Sequence, residues 1–146
     1  MSGSGNQEIS GQGISGSGYQ FNTLAGFEKL WVWQKAHKLM LEVHKICRAL
    51  PIDERFKIRH QLERSSSSVP DNIAEGHTSY YYQDKIKGFY IARKEAGETQ
   101  NHIRALEDKN YIPYRISKDI IARYEEVIRG LNGYVRWVRE KKKSLK

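Results

Sequence analysis

Residues 63–76 read ERSSSSVPDNIAEG. Four serines ahead of a proline have the composition of a linker, which would divide the chain in two. The surrounding residues argue otherwise. Ile58, Leu62, Ser65, Val69 and Asn72 follow one another at spacings of four, three, four and three, so a single helical face passes through the serines in phase. Pro70 removes a backbone donor and crowds the Ser66 carbonyl, at a cost of about 3 kcal/mol in a regular helix. Serine hydroxyls that bond back to nearby carbonyls absorb such a distortion and bend the helix. The spacing predicts one kinked helix from Glu54 to Glu75, ended by Gly76. Ser65 and Ser66 then face the interior, where small side chains let a neighbouring backbone approach. The linker alternative predicts rapid proteolysis between Ser65 and Pro70.

Working outward, three more helices are expected. Trp33, Ala36, Met40, Val43, Cys47 and Leu50 form the seam of the first, and Pro51 stops it. Asp53 is placed to cap the second. The third is predicted from about Gln83 to Lys109, with Ile86, Phe89, Ala92, Ala96, Thr99, Ile103 and Leu106 inward. Gly88 and Gly97 inside it each cost about 1 kcal/mol against alanine, which favours sites of close helix approach. Pro113 breaks the following turn, and Ser117 is expected to cap a last helix with Ile120, Tyr124, Val127, Leu131, Tyr134 and Val138 on its seam. No segment alternates as a strand does. The fold class is therefore all-α, an up-down-up-down antiparallel four-helix bundle with rods about 30 Å long and a kinked second helix.

The chain has 146 residues, a one-domain length. Residues 1–26 hold seven glycines and five serines and are expected to be a flexible tail, natural or an expression-derived linker. The bundle then spans 27–146. Glu8 is the tail's only charged residue, so 27–146 carries 25 Lys and Arg against 16 Asp and Glu, a net charge of +9. A surplus of that size points to a polyanionic partner, most naturally nucleic acid, or else to a well-solvated basic surface. No apolar run reaches membrane-spanning length, so no membrane partner is expected. Cys47 is the one cysteine, which excludes an internal disulfide and suits a reducing cytoplasm.

Three stretches carry a resemblance: FEKLWVWQKA at residues 27–36, QLERSSSSVPDNIAEG at 61–76 and FYIARKEAGETQ at 89–100. With the pattern Ser68, Pro70, Asn72, Ile73, Ala74, Glu75 and Gly76, the chain resembles a four-helix-bundle family first seen as reading frames in 23S rRNA intervening sequences. That family also includes the accessory variability determinant (Avd) proteins of diversity-generating retroelements. Its members usually have a Gly-Ser pair where this chain has Lys94 and Glu95, and Glu98 stands at the acidic position that follows. The resemblance implies a ring-like homopentamer. For Avd-like members it also implies nucleic-acid binding and association with a reverse transcriptase in mutagenic retrohoming; for intervening-sequence members it implies no established biochemical activity.

Catalytic chemistry is not expected. The five histidines lack the Glu-x-x-His spacing of di-iron bundles, the serines lack a nucleophile elbow, and no phosphate loop is present, so no metal or cofactor is assigned. Cys47 falls on an apolar seam. Asn72 is expected on the inner face, bonding across helices to set register, with Glu75 and Glu98 pairing cations; a general-base role for Glu75 is the alternative. Tyr80, Tyr81 and Tyr82 open the third helix beside Lys85 and Lys87, as a subunit interface or as a stacking platform for bases. Candidate phosphate contacts are Arg129, Arg136, Arg139, Lys141, Lys142 and Lys143 on the last helix, with Arg59 and Arg64 on the second. The function expected is a non-enzymatic, homo-oligomeric scaffold for RNA or DNA that docks a reverse transcriptase. The alternative is a structural or interaction module without nucleic acid.

Overall fold

A computed structural model describes residues 23–145, excluding the side chains at 54–56. Those residues hold four long helices and no strand: α1 (Trp31–Arg48), α2 (His60–Thr78), α3 (Tyr82–Asp108) and α4 (Tyr114–Ser144). A 3-10 turn at Gly26–Lys29 precedes α1. A helical turn at Ile52–Glu54 and a wider π turn at Arg55–Arg59 lead into α2. The Gly/Ser-rich tail expected at 1–26 falls mostly on residues outside the described range.

The serine run is helix. Ser65 and Ser66 are fully buried beside Leu62, Val69 and Ile73, and α2 continues through Pro70. Ser66 Oγ donates 2.6 Å to the Leu62 carbonyl, so its hydroxyl is satisfied within the helix. Thr99 Oγ1 lies 2.8 Å from Ser65 Oγ, a buried polar link between α2 and α3. Two features differ from expectation. Asp53 lies inside a helical turn, and Gly76 does not end α2, which runs to Thr78. Gly76 is needed for packing: a Cβ on Gly88 would come 2.8 Å from the Gly76 Cα, so the two helices touch backbone to backbone there. Gly97 makes no such approach, with nothing within 4 Å of its would-be Cβ. Asn72 is half-buried and donates to the carbonyl and hydroxyl of Ser68 in its own helix, at 2.8 and 2.9 Å, so it does not bond across helices.

In α1 the deepest side chains are Val32, Ala36, Leu39, Val43 and Cys47. Trp33 and Met40, expected on that seam, flank it half-buried, because apolar residues occupy both neighbouring positions and the tighter-fitting Val32 and Leu39 turn inward. Burial pushes the Cys47 thiol up to about 11, which keeps it protonated. In α4, Tyr124, Val127, Leu131, Val135 and Val138 face the core, Val135 replacing the expected Tyr134.

The α3–α4 turn is built by Asn110, whose φ of 65° is left-handed. Tyr111 N–H donates to the Leu106 carbonyl and Asn110 N–H to the Glu107 carbonyl, both 2.9 Å, which closes the end of α3. Pro113 then stands at the cap position of α4. Ser117 is inside α4, not its cap: fully buried, it donates 2.6 Å to Glu107 Oε1 and ties the two helices beside their turn.

Cross-links between helices run in opposite chain directions. Ser117 meets Glu107, Gln100 Nε2 donates 3.0 Å to the Ile121 carbonyl, and Arg93 reaches Asn132. Arg123 pairs with Glu42 and Lys35 with Glu126, which brings α4 back against α1. Each helix thus packs on its neighbours in sequence, and one apolar core fills the middle.

Candidate nucleic-acid interface

Several of the arginines stand in ion pairs. Arg59 pairs with Glu63 at 2.9 Å, Arg104 with Glu107 at 3.0 Å, and Arg123 with Glu42 and Asp119. Arg64 bridges Glu95 and Glu98 of α3, whose hydrogen bonds hold its guanidinium still more firmly protonated. These arginines are neutralised where they stand.

A different arrangement covers the outer face of α3 and α4. Arg129, Asn132, Arg136, Arg139 and Lys143 recur at spacings of three and four, which puts them on one side of α4. From α3, Arg93 Nη1 donates 2.7 Å to Asn132 Oδ1, and its guanidinium sits 4.8 Å from the centre of the Tyr90 ring. Arg139 lies 5.6 Å from the same ring and donates to the Tyr90 hydroxyl. Two guanidiniums are therefore held against one phenol by cation–π attraction. Among the described residues no carboxylate lies within 4.0 Å of Arg93, Arg129, Arg136 or Arg139. The acid on this stripe is Glu140, 3.9 Å from Lys143.

Beside this face, where α1 and α3 begin, opens an apolar groove of about 580 Å³ walled by Leu30, Trp31, Tyr82, Phe89, Tyr134 and Trp137. Gly130 shapes it, because a Cβ there would fall 2.6 Å from the Trp31 ring. Lys85 Nζ donates 2.7 Å to the His77 carbonyl at the groove wall, and burial together with Lys85 lowers the His77 pKa. Trp137 is 57 % exposed. A second, polar cleft lies along α2, where Ser67 Oγ is 3.1 Å from His44 Nε2. Ser67 and His44 stand on different helices, and His44 Nε2 also lies 3.4 Å from the Glu63 carbonyl oxygen. Among the described residues no three His, Cys, Asp or Glu side chains gather as metal ligands. No helix there is long and apolar enough to cross a membrane.

The model of the 23S rRNA-intervening sequence protein family matches residues 28–133. The chain belongs to that family. A crystal structure of a protein with unknown function, from the S23 ribosomal protein family of Bacteroides thetaiotaomicron VPI-5482, is similar in fold. The TM-score is 0.68 at 24% identity, covering 73% of this chain and 96% of that one. No curated protein matches the sequence. The family match spans all four helices as far as Gly133 and stops short of the basic end of α4.

Of the residues singled out from sequence, Arg129, Arg136 and Arg139 come together on one exposed face, which Lys143 extends; Lys141 and Lys142 fall on other sides of the helix, Lys141 beside Trp137. Arg59 and Arg64 are ion-paired on α2, away from it. Ser68, Asn72 and Glu75 border the polar cleft, Pro70 and Gly76 are buried in α2, and Glu98 holds Arg64. Tyr80 and Tyr81 are exposed and stack edge to face at 4.9 Å, whereas Tyr82 lines the apolar groove. Sequence reasoning missed Tyr90, Arg93 and Asn132. The signal was there: Tyr90 and Arg93 fall one helical turn apart, outside the predicted apolar stripe of α3.

Proposed function

We propose that this member of the 23S rRNA-intervening sequence protein family is a non-enzymatic scaffold that binds nucleic acid through phosphate contacts on the α3–α4 face. One observation carries the reading: among the described residues Arg93, Arg129, Arg136 and Arg139 lack carboxylate partners, while Arg59 and Arg64 have them. Cations left without counter-charge, two of them held against the Tyr90 ring, are set to meet an external anion, and a phosphate backbone supplies many. The net charge of +8 favours the same class of partner. The reading includes an up-down-up-down order of helices, supported by the oppositely directed cross-links, and a ring of copies in contact through Tyr80, Tyr81 and Tyr82. A single-chain mass in solution would remove the ring. The Avd-like role, with a reverse transcriptase as partner, is the finer part of the proposal; a retroelement beside the gene is what would support it.

The plainer reading is a structural or interaction module without nucleic acid. The family and the solved neighbour agree with it, since neither name states a ligand. Equilibrium binding to RNA and DNA at several salt concentrations separates the two. Phosphate binding predicts a fall in affinity of orders of magnitude between about 50 and 200 mM salt. Absence of binding at the low-salt end leaves the interaction module.

A further inference from the structure

The apolar groove and the cationic face share α4, and their junction has a chemistry that phosphate contacts alone do not require. Trp137 lies on the groove rim with one side open to solvent. Lys141 Nζ stands 5.5 Å from its ring centre. Arg136 reaches over the groove floor at Gly133, where an added Cβ would be 3.9 Å from Nη2. Across the groove Trp31 is 44 % exposed, and Lys85 closes the wall below it. Flat apolar rings in the middle and cations at the margin match a polymer whose flat rings are free and whose charges lie on its backbone.

We infer that this groove receives the unstacked bases of single-stranded nucleic acid, with Trp137 as the stacking surface and Arg136 and Lys141 on the adjoining phosphates. The inference rests on the nucleic-acid reading above and narrows it to a strand class. A duplex presents its phosphates but keeps its bases paired and stacked, so it engages the arginine face without entering the groove. A second copy of this chain is the other occupant the groove could take. Tyr82, one of the proposed ring contacts, lines the groove; but the cations at the rim, Lys141 beside Trp137 and Arg136 with no carboxylate partner among the described residues, complement a polyanion.

The test compares the full chain with Trp137→Ala, Trp137→Phe and Arg136→Gln, measuring affinity for a single-stranded RNA oligonucleotide and for its duplex. Oligomer size is followed by light scattering. Trp137→Ala is expected to weaken the single strand by about tenfold or more and the duplex by less than about twofold, with Trp137→Phe recovering most of the loss. Arg136→Gln is expected to weaken both. Equal losses for strand and duplex in Trp137→Ala, or none for either, overturn the groove assignment while phosphate binding stands. If the unaltered chain binds neither, the nucleic-acid reading itself falls. A drop in oligomer size in Trp137→Ala, with affinity intact, assigns the groove to a second copy and overturns the inference.

Discussion

At the scale of single residues, the tightest constraint is the contact of Gly76 with Gly88. A methyl group at Gly88 would meet the Gly76 Cα at 2.8 Å and the Asn72 carbonyl oxygen at 2.9 Å, both backbone atoms that cannot swing aside. Gly88→Ala is therefore expected to lower stability by about 1–3 kcal/mol, the usual cost of overpacking. Gly97→Ala, in the same helix but with open space at its Cβ, is expected to raise stability by about 1 kcal/mol through helix propensity. Denaturant melts of the two variants check the pair, and a shift of the same sign in both would contradict this account of α2–α3 packing. Tyr124 gives a second case. Its side chain is fully buried, and its hydroxyl has no hydrogen-bond partner among the described residues. Leaving such a group unsatisfied costs about 1–3 kcal/mol, so Tyr124→Phe is expected to stabilise the chain or leave it unchanged. A clear fall in melting temperature would reveal a role for that hydroxyl.

Among the elements, α2 and α4 carry similar arginines in different surroundings. Arg64 links α2 to Glu95, whose side chain is only 12% exposed, and to Glu98. Arg64→Gln leaves a mostly buried carboxylate without its cation and is expected to cost about 1–2 kcal/mol, discounted because Arg64 itself is half-exposed. Arg136→Gln breaks no ion pair and is expected to leave melting unchanged within about 0.5 kcal/mol while weakening nucleic-acid binding. Loss of binding without loss of stability in Arg64→Gln would reverse the assignment of the two helices. This division was only partly legible beforehand. The phase of Ile58, Leu62, Ser65 and Val69 carried α2 through its serines, because helical periodicity is a property of the local sequence. Which arginine meets a carboxylate depends on side chains thirty residues away, as Arg64 with Glu95 shows, and no spacing rule reaches that far. Asn72 was misplaced for a related reason: Ser68, one turn earlier, offered it a partner closer than any neighbouring helix. Ser117 looked like a cap because the helix was expected to start at it. The left-handed Asn110 instead finishes the turn early, so α4 starts at Tyr114.

For the whole molecule, the claim is that charge is distributed by function: paired where helices must hold together, unpaired where a polyanion is to be met. The groove at the same end of the bundle adds an apolar surface that the core does not need, since Trp31 and Trp137 stay largely in contact with solvent. Both features share α4, the longest helix, whose last turns extend past the residues matched by the family. Salt dependence is the most direct test, because each phosphate contact releases counterions. The affinity of Arg129→Gln/Arg136→Gln/Arg139→Gln for RNA would be measured against salt beside Arg59→Gln/Arg64→Gln and the unaltered chain. The account predicts a slope of log affinity on log salt shallower by about two to three in the triple variant and nearly unchanged in the double. An unchanged slope in the triple variant, or an equal flattening in the double, would contradict it.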